Sequence, residues 1–153
     1  MNPTFVVAYV VGVTPGKWVG VWKERMPRHP IAIVKHSPAA ALAALAEGTA
    51  DVAFVRMPVG DDSLSAIPLY EEQPFVVVPK DHAIEAVDSV MLADLDDENV
   101  LDGAWEVAVE LVATGAGVAL MPQSVTRALS RRDVVARRVA DAPVTRIALA
   151  WPT

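Results

Sequence analysis

The sequence predicts an α/β domain with a parallel or mixed sheet and helices on both faces of it. Three observations carry this expectation. Thr4 to Val13 is a nearly unbroken apolar, β-branched run, as suits a strand covered on both sides. Strand and helix patterns then alternate as far as residue 55, and such alternation builds parallel sheets through crossover connections. Finally, 53% of the 153 residues are hydrophobic and 21% are charged, with a mean hydropathy of +0.34, which favours a packed core over disorder.

The first strand pattern ends at Thr14-Pro15-Gly16. Thr14 is placed to cap a helix starting at Pro15, where the missing N–H costs nothing. Trp18, Val19, Trp22 and Met26 follow at helical spacing until Pro27 and Pro30 stop the pattern. Ile31 to Lys35 reads as a second strand, and Ser37-Pro38 as a second cap-plus-proline start. Ala39 to Glu47 is an alanine-rich helix closed by Gly48, and Asp51 to Val55 is a third strand.

Residues 58–65 form a polar turn pattern, followed by strands at Ala66 to Leu69 and Phe75 to Val78. Leu92 to Leu95 is a short helix and Asn99 to Leu101 a short strand. Ala104 to Thr114 is a helix with Trp105, Ala108, Leu111 and Val112 expected on one face, ended by Gly115. Val118 to Met121 is a buried strand, Gln123 to Leu129 a helix, and Val134 to Val139 and Thr145 to Trp151 are strands.

Charge and composition exclude several function classes. The net charge of −6 and pI near 4.9 disfavour direct binding to a phosphate backbone. Six arginines at 127, 131, 132, 137, 138 and 146 are read as a solvated rim rather than a partner surface. The apolar runs fall short of the ~20 residues that a membrane helix needs, and no basic segment makes the first run a signal peptide. A cytoplasmic protein is expected. With zero cysteines, disulfides, thiolate metal sites and thiol nucleophiles are absent.

No catalytic or metal constellation stands out. Ser37, Asp51 and His36 lack the G-x-S-x-G elbow of a nucleophilic serine. Asp94, Asp96, Asp97 and Glu98 lack the spacing and glycine of a calcium loop, and His29, His36 and His82 show no paired metal spacing. Gly115-Ala116-Gly117 follows a helix and precedes a strand, the reverse of a dinucleotide fingerprint. No cofactor or enzymatic activity is expected.

Five segments carry a resemblance: WVGVWKERMP at 18–27, AALAALAEGTADVAFVRMP at 40–58, PLYEEQPFVVVPKDH at 68–82, LADLDD at 92–97 and VELVATGAGVALMPQSV at 109–125. In this order they resemble the effector-binding domains of LysR-type transcriptional regulators. The resemblance implies a type 2 periplasmic-binding-protein-like fold and a small carboxylate or aromatic effector held at loop tips and helix starts. It implies residues 1–78 and 122–153 as a first lobe, with 79–121 as a reduced second lobe and return linker, because the chain passes almost directly from Asn99 to Trp105 where the family carries further strands and helix. No helix-turn-helix is expected before Met1 and no helix after Trp151, so DNA binding is not among the expectations carried over.

Thr14, Ser37, Arg56 and Met57 directly follow the first three strand patterns, so they are expected around one ligand site at the carboxyl ends of the sheet. Arg56 is expected to meet a ligand carboxylate, or Glu71 or Glu72. Family domains pair side by side through the first helix, so Trp18 and Trp22 are the expected homodimer anchors, the alternative being that both pack on their own sheet. An interaction protein that has lost ligand binding along with its second lobe is the competing functional expectation.

Overall fold

A computed structural model describes residues 3–60 and 62–153; the expected turn at 58–65 includes residue 61, which lies outside them. In the first part of the chain, β1 (Phe5–Tyr9) lies between β2 (Ile31–Lys35) and β3 (Val52–Arg56) and is parallel to both. The antiparallel strand β9 (Thr145–Pro152) adds to β3, and β4 (Leu64–Glu72) follows, giving the order β2-β1-β3-β9-β4. Val7 is 5% exposed and its neighbour Ala8 0%, so successive residues on opposite faces are both removed from water, as the apolar run predicts.

The register sorts side chains by size. Val7 pairs with Val52, Tyr9 with Phe54 and Phe54 with Leu149, so one face carries the large residues. Ala8 pairs with Ala53, Ala53 with Ala150 and Val55 with Ala148, so the other face is mostly alanine. Helix α2 (Pro38–Glu47) packs on β1 and β3 with Ala41, Ala44 and Leu45 buried. Helix α1 (Gly16–Arg25) faces the large side chains and buries none of its own residues. Its aromatic rings rest on the sheet: Trp22 stacks on Phe5 at 4.8 Å and 8°, and Trp18 meets Phe54 at 6.1 Å and 43°.

Two local expectations for this region need correction. The first strand ends at Tyr9 rather than Val13, because the chain turns at Gly12, whose φ of 91° favours glycine, with Val13 N–H donating to Val10 O at 3.2 Å. The turn delays the helix by a residue. Pro15 becomes its N-cap with no side-chain cap bond, and Thr14 is an exposed residue rather than a cap. Ser37 behaves as expected: its Oγ accepts Ala40 N–H at 3.2 Å with Pro38 opening the helix, and Gly48 ends it at φ 78°.

The second unit is centred on β5 (Pro74–Pro79), antiparallel to β7 (Ala119–Pro122) on one side and to β8 (Val134–Val139) on the other. A two-residue strand β6 (Ser89–Val90) runs parallel to β8. Val76 and Val78 face a core with Ile84, Val90, Leu95, Val118 and Val139. Helices α3 (Trp105–Ala113) and α4 (Gln123–Ala128) pack on β5. The chain divides into residues up to 70 with 146–153, and residues 71–145. The expected lobe limits at 78/79 and 121/122 fall inside the second unit, because β5 and β7 pair with each other and β8 returns onto β5.

Helix α3 differs in its inward face. Ala108, Val109 and Val112 are buried, whereas Leu111 is 41% and Val107 54% exposed and Trp105 is half-buried. The expected strand at Asn99 to Leu101 is a single parallel bridge from Val100 to Val118, held by Leu101 N–H to Val118 O at 2.8 Å and Val118 N–H to Asn99 O at 2.9 Å. The arginines are less uniformly solvated than expected. Arg131 holds Asp133 through two bonds of 2.9 and 3.1 Å, and Arg137 is a half-buried clamp on the carbonyls of Val87, Glu85 and Ala136.

Two consequences are measurable. Ser37→Ala should lower unfolding free energy by about 1 kcal/mol in urea titrations, whereas Thr14→Ala should change it by only a few tenths, since only Ser37 satisfies a helix N–H. Gly117→Ala places a Cβ 2.2 Å from the Asn99 carbonyl oxygen, so it should destabilise by about 1–3 kcal/mol and speed hydrogen exchange at the Leu101 and Val118 amides.

Candidate functional site

Because β1, β2 and β3 run parallel, their carboxyl ends at Tyr9, Lys35 and Arg56 lie along one edge of the first sheet. Thr14, Ser37, Arg56 and Met57 all follow or close these ends. His36 N–H donates to Tyr9 O at 2.9 Å, extending the pairing of β1 and β2 to that edge. Arg56 reaches to the neighbouring chain just past the end of β1, its Nη1 donating to Val11 O at 2.8 Å. This ties the guanidinium to the turn that leads into Thr14. Met57 is 37% exposed, donates its N–H to Arg146 O at 2.9 Å and precedes Pro58 through a cis bond.

The chemistry along this edge is that of an anion or hydrogen-bonding partner. Thr14 and Ser37 are exposed hydroxyl residues at the approaches to α1 and α2, and neither helix has an acidic residue in its first turn. The positive ends of both helix dipoles are therefore not occupied by carboxylates of their own first turns. Ser37 Oγ is already an acceptor for its own helix, so its hydroxyl hydrogen is the group it can offer outward.

Other candidate groups separate. Asp51 precedes β3 at the opposite, amino edge, where its carboxylate accepts Val6 N–H at 2.7 Å. A five-residue strand, ~16 Å long, thus lies between Asp51 and the edge carrying His36 and Ser37, and no triad forms. His82, isolated in sequence, is engaged locally: Nδ1 accepts Ile84 N–H at 3.0 Å, and Nε2 lies 2.7 Å from Glu98. Among the described residues no group of three or more His, Asp or Glu is arranged to hold a metal ion, and no helix is long and apolar enough to cross a membrane.

The two tryptophans part company. Trp22 is tied inward, stacked on Phe5 and donating its indole N–H to His29 O at 2.7 Å. Trp18 is 57% exposed. Glu72, expected only as an alternative partner of Arg56, is buried at 6% exposure, and its carboxylate accepts the Ser124 hydroxyl and, at 2.9 Å, the Thr145 hydroxyl. Its partners are 52 and 73 residues away, so no local pattern marks it.

With this arrangement in view, known proteins supply the context. The LysR substrate binding domain family matches residues 12–102, more than half of the chain. A probable hydrogen peroxide-inducible genes activator of Mycobacterium avium is 29% identical over 177 residues, covering 95% of this chain and 56% of the relative. The HTH-type transcriptional regulator BudR of Raoultella terrigena is 26% identical over 162 residues, covering 85% of this chain and 56% of the relative. The chain thus spans about half the length of the curated relatives it matches. The effector binding domain of BenM, solved with its effector benzoate, superposes with a TM-score of 0.81 at 20% identity, covering 100% of this chain and 85% of that one. The last likeness establishes the type 2 periplasmic-binding-protein-like fold, and the family match establishes kinship: the chain belongs to the LysR substrate-binding domain family.

Proposed function

We propose that this chain is a non-enzymatic effector-binding module, taking a small carboxylate or aromatic metabolite at the carboxyl edge of β1, β2 and β3. The single observation that carries the reading is the Arg56 guanidinium held against the turn before Thr14, on the edge where Ser37 opens α2. A carboxylate there would accept from the Thr14 and Ser37 hydroxyls, lie near two helix amino termini and be neutralised by Arg56, with Met57 as an apolar wall. LysR-type effector-binding domains serve transcriptional regulators, so the proposed role is cytoplasmic and regulatory, exerted through a partner or further chain that contacts DNA. The acidic net charge of −6 agrees with leaving DNA contact to another element. On this reading the second unit is the reduced lobe of the family fold.

Binding should appear as a rise in melting temperature in a screen of benzoate and small aliphatic carboxylates. A ligand at 100 times its Kd adds about 2.7 kcal/mol, and each kcal/mol raises Tm by about 2–4 °C in a chain of this size. Thr14→Val, which removes a hydroxyl that forms no helix cap, should abolish the rise while leaving the unliganded Tm unchanged. If no carboxylate shifts Tm at millimolar concentration, or the shift is undiminished in Thr14→Val, the assignment fails.

A second reading, a dimerising interaction protein that has lost ligand binding, is favoured by the 57% exposure of Trp18 beside Val21 at 41%. Exposed apolar patches on a folded protein mark partner surfaces, and a symmetric dimer is the commonest outcome. Sedimentation at micromolar concentration should show a dimer that Trp18→Glu converts to a folded monomer; a wild-type monomer would remove the idea. Trp22 is not the suitable probe, because its stacking on Phe5 makes it part of the fold.

A further inference from the structure

The two helices of the first unit meet their sheet differently. On the alanine face α2 closes directly, with Ala41 at 0%, Leu45 at 1% and Ala44 at 4% exposure. On the large-residue face α1 rests on two aromatic contacts, Trp22 on Phe5 and Trp18 on Phe54. Beneath it is an open-sided cavity of about 280 Å³ with Phe5, Val7, Trp18, Val19, Trp22 and Phe54 among its walls. We propose that this cavity is a binding site for an uncharged, planar aromatic molecule of about two fused rings, separate from the polar edge of the sheet.

The walls decide the chemical class. Every residue lining the cavity has an apolar or aromatic side chain, and the Trp22 indole N–H is taken by the His29 carbonyl. A charged or strongly hydrogen-bonding ligand would surrender its hydration there without replacement. Water is disfavoured on the same ground, since it needs two or more polar partners.

Size and shape narrow the class. An apolar cavity of about 150 Å³ accepts benzene, so a space roughly twice as large suits two fused rings. It stands near the lower end of ordinary ligand pockets, about 300 Å³. The ring contacts at 4.8 and 6.1 Å show that α1 lies within one layer of side chains of the sheet. A helix from another chain, about 10 Å across, does not fit into that layer, whereas a flat ring does, in offset or edge contact with the indoles and phenyl rings.

The site is independent of the proposed carboxylate site, as none of Thr14, Ser37, Arg56 and Met57 lines it, so the two proposals can fail separately. The test is a thermal-shift titration with indole, with indole-3-carboxylate as the charged control and two variants that fill the space, Val19→Trp on the helix and Val52→Met on the sheet. Indole should raise Tm saturably by about 3 °C or more at concentrations well above its Kd. Indole-3-carboxylate should give no shift that the filling variants reduce. Val19→Trp should remain folded and lose the indole response; should that larger residue disrupt folding, Val52→Met provides the same reading with a smaller change. Absence of any indole shift at millimolar concentration overturns the proposal, as does an undiminished shift in the folded filling variants. A wild-type dimer that Val19→Trp dissociates would also overturn it, assigning the space to a second copy of the chain.

Discussion

The exclusion of water from both faces of β1 governs the first unit. A strand with two parallel neighbours needs a crossover on each side, and here the crossovers are α1 and α2. Since side chains alternate along a strand, the register that pairs Val7 with Val52 and Ala8 with Ala53 also sorts the sheet into a large-residue face and a small-residue face. The alanine-rich helix fits closely on the small face. The large face holds its helix at the distance set by stacked rings, and that spacing leaves the cavity. Two faces of one strand thereby acquire different packing from a single choice of register.

In the second unit β5 plays the corresponding part, between β7 and β8. Here the tight constraint is backbone on backbone: Gly117 lies against the Asn99 carbonyl so closely that a Cβ would sit 2.2 Å from it. That approach lets Val100 bridge to Val118. On the outside of the unit, Val107 and Leu111 on α3 stay 54% and 41% exposed. Glu72 adds a polar tie, one carboxyl group accepting two hydroxyls from residues far apart in the chain, which meets the requirement that a buried polar group be hydrogen-bonded.

Elements with a periodic pattern were legible in the sequence. Val134–Val139 is a strand as expected, and Ser37, Pro38 and Gly48 bound their helix as cap chemistry requires. Thr14 shows where the same grammar fails. Thr-Pro and Ser-Pro look alike, but Gly12 turns the chain before Thr14, whereas Ser37 enters its helix from an extended conformation with ψ 161°. The glycine inside the apolar run was the available signal. The inward face of α3 was not readable, because Trp105 and Leu111 are apolar enough for a core and only the tertiary contacts decide which side turns in. Glu72, the His82–Glu98 pair and the cavity under α1 arise from pairings across many residues, and a single sequence carries no record of those.

The candidate edge site differs from these long-range features in one respect that bears on function. Thr14, Ser37, Arg56 and Met57 all belong to the unit formed by residues up to 70 with 146–153. Their placement rests on the parallel pairing of β1 with β2 and β3 and on the Arg56 bond to Val11. Those determinants all lie within that unit itself. A ligand anchored there by its carboxylate would draw its charge-assisted bonds, the strongest contacts available to it, from one rigid sheet edge. The same geometry explains why the apolar cavity serves a different ligand: it opens on the face of the sheet, where side chains supply area and no hydrogen bonds, while the edge supplies hydrogen bonds and little area. Selection between a charged and an uncharged aromatic thus follows from whether the ligand meets the groups at the strand ends or the side chains between the sheet face and α1.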